Sequence, residues 1–258
     1  MSWYLIPAVI AAGFAAGFIN TLAGSGSLVT LPLLIFLGLP ANVANGTNRV
    51  AIVLQNLVGV SSFHRQDRLD LRGSVILGLP AVAGAILGAQ IAVNLDEATL
   101  EKTIGLLMVF MLIVILVQPK RWLQGHLNEL EGSPKWWQFV IFFLIGIYGG
   151  FIQAGVGIFL LAGLVLAVGY DLVRANAVKV AIVLLFTLSA LVVFIRNGQV
   201  VWGIGLMLGA GNMLGAWVAT RVAVAKGAVW VRRLLIAVVV VSAAELLGLM
   251  EVVAGLLG

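Results

Sequence analysis

Gly17-Phe18-Ile19-Asn20-Thr21-Leu22-Ala23-Gly24-Ser25-Gly26 returns later in the chain as Gly150-Phe151-Ile152-Gln153-Ala154-Gly155-Val156-Gly157, with Thr21 and Leu22 as an insertion in the first copy. From the glycines onward the copies keep an offset of 131. Gly38 matches Gly169, Ala44-Asn45 matches Ala175-Asn176, Phe63 and Arg65 match Phe194 and Arg196, Gly78 matches Gly209, and Gly84-Ala85 matches Gly215-Ala216. A constant offset held over about seventy residues marks an internal duplication, and in an apolar chain duplications of this kind build transporters.

The chain is apolar. Of its 258 residues 62% are hydrophobic and 10% charged, against roughly 25% charged in a soluble domain. Apolar runs of about 20 residues, the length of helix that crosses the hydrocarbon core, recur throughout. They predict five helical segments per half: 3–22, 27–39, 43–62, 73–93 and 98–117, then 136–153, 157–168, 173–194, 201–220 and 230–249. The second segment of each half is too short for a full crossing and is either a short span or part of a re-entrant hairpin. The expected fold is therefore all-α and polytopic, with a first membrane repeat over 1–118, a cytoplasmic linker over 119–135 and a second membrane repeat over 136–258.

Either treatment of the short segments leaves an odd number of crossings per half, which inverts the second repeat relative to the first. The basic residues test this. With loop 63–72 in the cytoplasm, that side collects Arg65, Arg68, Arg72, Lys120, Arg121, Lys135, Arg174, Arg221, Lys226, Arg232 and Arg233, and the other side only Lys102 and Arg196. This positive-inside bias puts both termini outside. It also accounts for the net charge of +5 without nucleic acid. The first charge is Arg49, so the first apolar run lacks a basic leader and is expected to stay in the mature protein. Trp136 and Trp137 read as interfacial anchors.

Two basic residues fall inside apolar segments. Arg49 matches Val180 and Lys179 matches Asn48, so they sit at nearly equivalent depths and approach the midplane from opposite faces. A charge at that depth costs about 2.5–3.5 kcal/mol on insertion scales and calls for a polar cavity or a partner; the alternatives are snorkelling or pairing with a carboxylate. Repeat-related amides lie nearby, Asn20 with Gln153 and Asn45 with Asn176, and Asn48 adds another. These are candidate anion ligands. Gln55, Asn56 and Gln90 read as interhelical hydrogen bonding.

Gly24, Ser25, Gly26 and Ser27, and Gly155 and Gly157 in the second copy, precede the short segments. Each break could present backbone N–H groups to an anion or permit a close crossing. Gly13 with Gly17, Gly84 with Gly88, Gly205 with Gly209, and Gly211 with Gly215 are spaced for helix packing. Glu245 is an acid deep in an apolar segment, read as a proton relay, the partner of a basic residue or an interfacial acid near the outer end. With no cysteines and only His64 and His126, the chain offers no disulfide and no metal-ligand spacing, and no cofactor is expected.

The break after Asn20, Pro32, Gly38-Leu39-Pro40 and the start Ala44-Asn45-Gly46-Thr47-Asn48 resemble the sulfite exporter TauE/SafE family, as do Gln153-Ala154-Gly155-Val156-Gly157 and Arg174-Ala175-Asn176-Ala177-Val178-Lys179. The second half departs from the fuller glycine run and proline of the family pattern, with Ile158 through Gly163 there instead. The resemblance implies a bacterial inner-membrane permease exporting sulfite or a small organosulfonate.

The leading expectation is a secondary transporter that moves a small anion by alternating access about a midplane site. Its partners would be the anion and the bilayer, with a coupling proton or sodium and a homo-oligomer both compatible with the sequence. The alternatives are an anion channel of the same fold and a non-transporting assembly partner. An enzyme is disfavoured, because no set of His, Asp, Glu and Ser converges at helical spacing.

Overall fold

The computed structural model describes residues 5–116, 130 and 132–222, and the elements among them are all helices. In chain order these are α1 (Leu5–Ala23), α2 (Ser27–Phe36), α3 (Ala41–Arg65), α4 (Leu71–Asn94), α5 (Glu97–Leu116), α6 (Trp136–Phe151), α7 (Val156–Ala162) running on into a π turn (Gly163–Val168), α8 (Leu172–Arg196) and α9 (Trp202–Val222). The expected segment 230–249 with Glu245, and linker positions 119–129 and 131, lie outside the described residues.

Helices α4, α8 and α9 are each long and apolar enough to cross a membrane. α3 has 25 residues, about 37 Å of helix, but carries its polarity inward: Asn45, Thr47, Asn48, Arg49, Gln55 and Asn56 are all buried. Within lipid, polar side chains find partners only in the bundle interior, which turns this helix inside out relative to a soluble one. The 10-residue α2 and the 7-residue α7 are too short to cross alone. α2 stops at Phe36, three residues before the expected end, because Gly38 takes φ +87° and Pro40 caps α3. α3 runs past its apolar run to Arg65, since a polar final turn is tolerated at a helix end.

Backbones approach closely at glycines. Side chains added at Gly84 and Gly88 of α4 would strike the main chain of α6, as would additions at Gly146 and Gly150 of α6 against α4. α1 and α9 meet the same way through Gly13, Gly17, Gly211 and Gly215. Sequence-matched positions also make matched contacts. A Cβ on Gly78 would lie 2.8 Å from Leu185 Cδ1, and one on Gly209 2.5 Å from Leu54 Cδ1; Leu54 and Leu185 share the offset of Gly78 and Gly209. α3 and α8 run antiparallel, with Gly59 packed on Val180 at one end and Gly46 on Phe194 at the other.

Candidate functional site

α6 ends at Phe151 and α1 at Ala23, both inside the bundle, and each helix end leaves its last four carbonyls without intrahelical partners. Arg49 and Lys179 answer that need from across the molecule. On α3, the Arg49 guanidinium donates to Gly149 O at 3.1 Å and Gly150 O at 2.5 Å, and Asn45, one turn earlier, donates to Phe151 O at 2.7 Å. On α8, the Lys179 ammonium donates to Asn20 O at 3.2 Å and Thr21 O at 2.9 Å. Each cation thus sits at the negative end of a helix from the other half. Each also donates to its own neighbouring amide, Arg49 to Asn45 Oδ1 at 3.4 Å and Lys179 to Asn176 Oδ1 at 2.6 Å.

Both cations are fully enclosed, Arg49 at 0% and Lys179 at 1% exposure, so neither snorkels. Their hydrogen-bond partners among the described residues are all neutral oxygens, with the Phe194 ring 4.7 Å from the Arg49 guanidinium carbon. A helix end carries roughly half a negative charge. About half a positive charge is therefore left over at each place.

The repeat-related amides extend the network. Gln153, in the left-handed region at φ +62°, accepts from Arg49 at 3.1 Å and donates to Thr187 Oγ1 at 2.7 Å. Asn20 donates to Gln55 Oε1 at 3.2 Å, which also accepts from Asn212 at 3.3 Å. Asn48 Oδ1 accepts from Thr30 at 2.8 Å. Several enclosed polar atoms have no hydrogen-bond partner: Arg49 Nε, Asn48 Nδ2, Asn176 Nδ2, Ser25 Oγ and Thr21 Oγ1.

The two glycine-rich breaks press against each other at the centre. Gly24 and Gly155 both take φ +74°, the Gly157 N–H donates to Gly24 O at 3.2 Å, and a methyl on either Gly24 or Gly157 would fall onto the other's Cα. Gly26 lies equally close to Ala16 O. These contacts make Gly24, Gly26 and Gly157 a close crossing, with the Gly157 donor already engaged. Beside the crossing lies a void lined by Asn20, Asn56, Gln153 and Lys179 with Gly24 and Gly157. It has room for about one water, so the arrangement is closed.

Two helix C-termini, each held by a buried cation, thus meet beside a small void that Lys179 lines and that Arg49 reaches through Gln153. The model of the family described as sulfite exporter TauE/SafE matches residues 9–246. The chain belongs to this family. It is 29% identical over 248 residues to a probable membrane transporter protein, ORF9, of Sinorhizobium sp., covering 96% of this chain and 94% of that one. It is 26% identical to a probable membrane transporter protein of Haemophilus influenzae, covering 90% of each. A relative in Methanocaldococcus jannaschii, also named a probable membrane transporter protein, is 23% identical over 74% of this chain and 73% of its own length. No solved structure matches. Family and relatives together make this a membrane protein of the transporter class.

Sequence reasoning overlooked Phe194 and Thr187 as parts of this centre, whereas Gln55, read as an interhelical hydrogen-bonding residue, joins α3 to Asn20 of α1 and Asn212 of α9. Phe194 had a signal, since it and Phe63 are repeat-matched and both fully enclosed; Thr187 had none. It also overlooked Asp70, which lies away from the centre. Asp70 caps α4 by accepting from Gly73 N at 2.8 Å, and its other oxygen accepts from Leu130 N at 2.7 Å and the Tyr170 hydroxyl at 2.5 Å. Burial pushes its pKa up, but the Tyr170 hydroxyl and the surrounding N–H donors more than offset this and hold it below the usual carboxylate value.

Proposed function

We propose that the protein is a secondary transporter for a small anion, sulfite or an organosulfonate, working across the cytoplasmic membrane by alternating access. The observation that carries this is the pair of enclosed cations at matched places, set against neutral oxygens, with Lys179 lining a small void and Arg49 joined to it through Gln153. An anion entering there would complete the neutralisation that the helix ends only half supply. Arg49 and Lys179 provide the charge. Asn20 and Gln153 line the void, and Asn45, Asn48 and Asn176 stand one turn or less from the cations. The unpartnered Arg49 Nε, Asn48 Nδ2 and Asn176 Nδ2 are donors in reserve.

The antiparallel course of α3 and α8, together with their matched lengths and contacts, supports reading the halves as inverted repeats. Such halves rock about a fixed centre, and the Gly24–Gly157 contact is where they would hinge. Outward movement of an anion is favoured by an inside-negative potential, about 2.3 kcal/mol per charge per 100 mV, so export can proceed without a coupling ion. The mechanism is one of binding and exposure rather than of catalysis.

The test is purified protein in proteoliposomes given radiolabelled sulfite, a small sulfonate and sulfate in parallel. Saturable flux with counterflow of one of them is expected. Flux without saturation or counterflow would make the protein a channel, and no flux of any of the three would end the proposal.

A further inference from the structure

A second concavity lies between α3 and α9 and is lined by neither of the two cations. It holds about 600 Å³ and grades from apolar to polar along its length. Leu54, Leu57 and Val58 of α3 face Met213 and Trp217 of α9 at one end; Arg65, Gln66 and Arg221 stand at the other. From Leu54 to Gln66 is about 18 Å of helix, close to the depth of one leaflet of the hydrocarbon core plus the start of the headgroups. Leu57 and Trp217 are half exposed, as an apolar surface in contact with acyl chains would be.

The polar end is organised. The Arg221 guanidinium carbon lies over the Trp217 ring, 3.7 Å from its centre. Ser62 and Thr220 join the two helices through their hydroxyls, and Gln66 is tied to Ser62 O at 2.9 Å. Among the described residues no carboxylate lines the groove, so the two guanidinium groups meet no counter-charge from them. Both arginines also belong to the set that the positive-inside bias assigns to the cytoplasmic face, where the leaflet is rich in anionic lipid.

We propose that this groove binds an anionic phospholipid, with the phosphodiester between Arg65 and Arg221 and one acyl chain along Leu54, Leu57 and Trp217. The site is independent of which anion the protein carries.

The test uses Trp217 as the reporter. The native protein and Trp217→Phe are reconstituted in phosphatidylcholine vesicles containing either brominated phosphatidylglycerol or brominated phosphatidylcholine at equal mole fraction, and the difference in quenching isolates the groove. Phosphatidylglycerol is expected to quench Trp217 in excess, and Arg65→Gln with Arg221→Gln to weaken its relative affinity roughly five-fold for each charge removed. Arg65→Lys with Arg221→Lys, which keeps the charge, should retain most of the preference. Equal quenching by the two lipids would overturn the proposal, as would an excess that survives the double Gln variant, since that would reflect the basic surface at large. Displacement of the excess by inorganic phosphate would make it a free-anion site. Trp217 quenched by neither lipid would mean that protein covers the groove.

Discussion

Replacing Lys179 by Met keeps the length and bulk of the side chain and removes one charge and three donors. In the folded protein those donors reach Asn176 Oδ1 at 2.6 Å, Thr21 O at 2.9 Å and Asn20 O at 3.2 Å. Asn20 O keeps the Gly24 N–H at 2.7 Å, so Thr21 O and Asn176 Oδ1 are the two acceptors left without the donor they had. An orphaned acceptor costs about 1–3 kcal/mol. Burying no charge offsets part of this, so the variant should fold, with a melting temperature lower by a few degrees. Transport is affected on a different scale. A hydrogen bond to a charged group contributes about 1.5–3 kcal/mol, so an anion that relies on this ammonium should bind about 10- to 150-fold more weakly. Initial rates of sulfite flux in proteoliposomes, measured across concentration, report this as a raised KM. A variant with lowered stability but unchanged KM would make Lys179 a clamp on α1 and nothing more, and the reasoning from residual charge would be wrong.

Arg49→Lys keeps the charge, but a single ammonium lacks the fork that spans Gly149 O, Gly150 O and Gln153 together; flux should fall at least ten-fold, and native rates would refute the need for that geometry. Gly24→Ala and Gly157→Ala each drive a methyl into the opposite main chain, Gly24→Ala from a left-handed backbone as well; destabilisation of about 2–6 kcal/mol is expected, checked by monodispersity and melting in detergent. Asp70→Ala removes the cap of α4 and should cost about 0.5–2 kcal/mol at neutral pH. Because the folded carboxyl titrates below its unfolded value, its contribution is complete above the unfolded pKa, near 4, and is lost as pH falls through the folded one. The melting curves of Asp70→Ala and native protein should therefore converge in acid and stay apart above about pH 5; a constant gap would place the effect in packing.

What could be read from the residue order was whatever is local or periodic. Apolar runs interrupted by Gly24, Gly38, Gly155 and Gly169 locate the helices, because a glycine at positive φ ends a helix wherever it occurs. The offset of 131 makes Ala41 and Leu172 begin helices of equal length. The buried position of Arg49 and Lys179 was the leading reading, since a charge at that depth is costly in lipid, and the structure decided it against snorkelling. Their partners were not legible. Gly149 lies 100 positions from Arg49 and Thr21 lies 158 from Lys179, and no periodicity in either helix announces them. The same holds for Asp70 with Tyr170, 100 positions apart, and for the groove that brings Arg65 beside Arg221. Sequence thus determined which side chains must seek a polar partner in the interior. Only the tertiary arrangement that brings Arg49 of α3 to the end of α6 and Lys179 of α8 to the end of α1 decided that helix ends would be that partner, because a carbonyl at a helix terminus becomes an acceptor for another helix only once the chain has brought the two together.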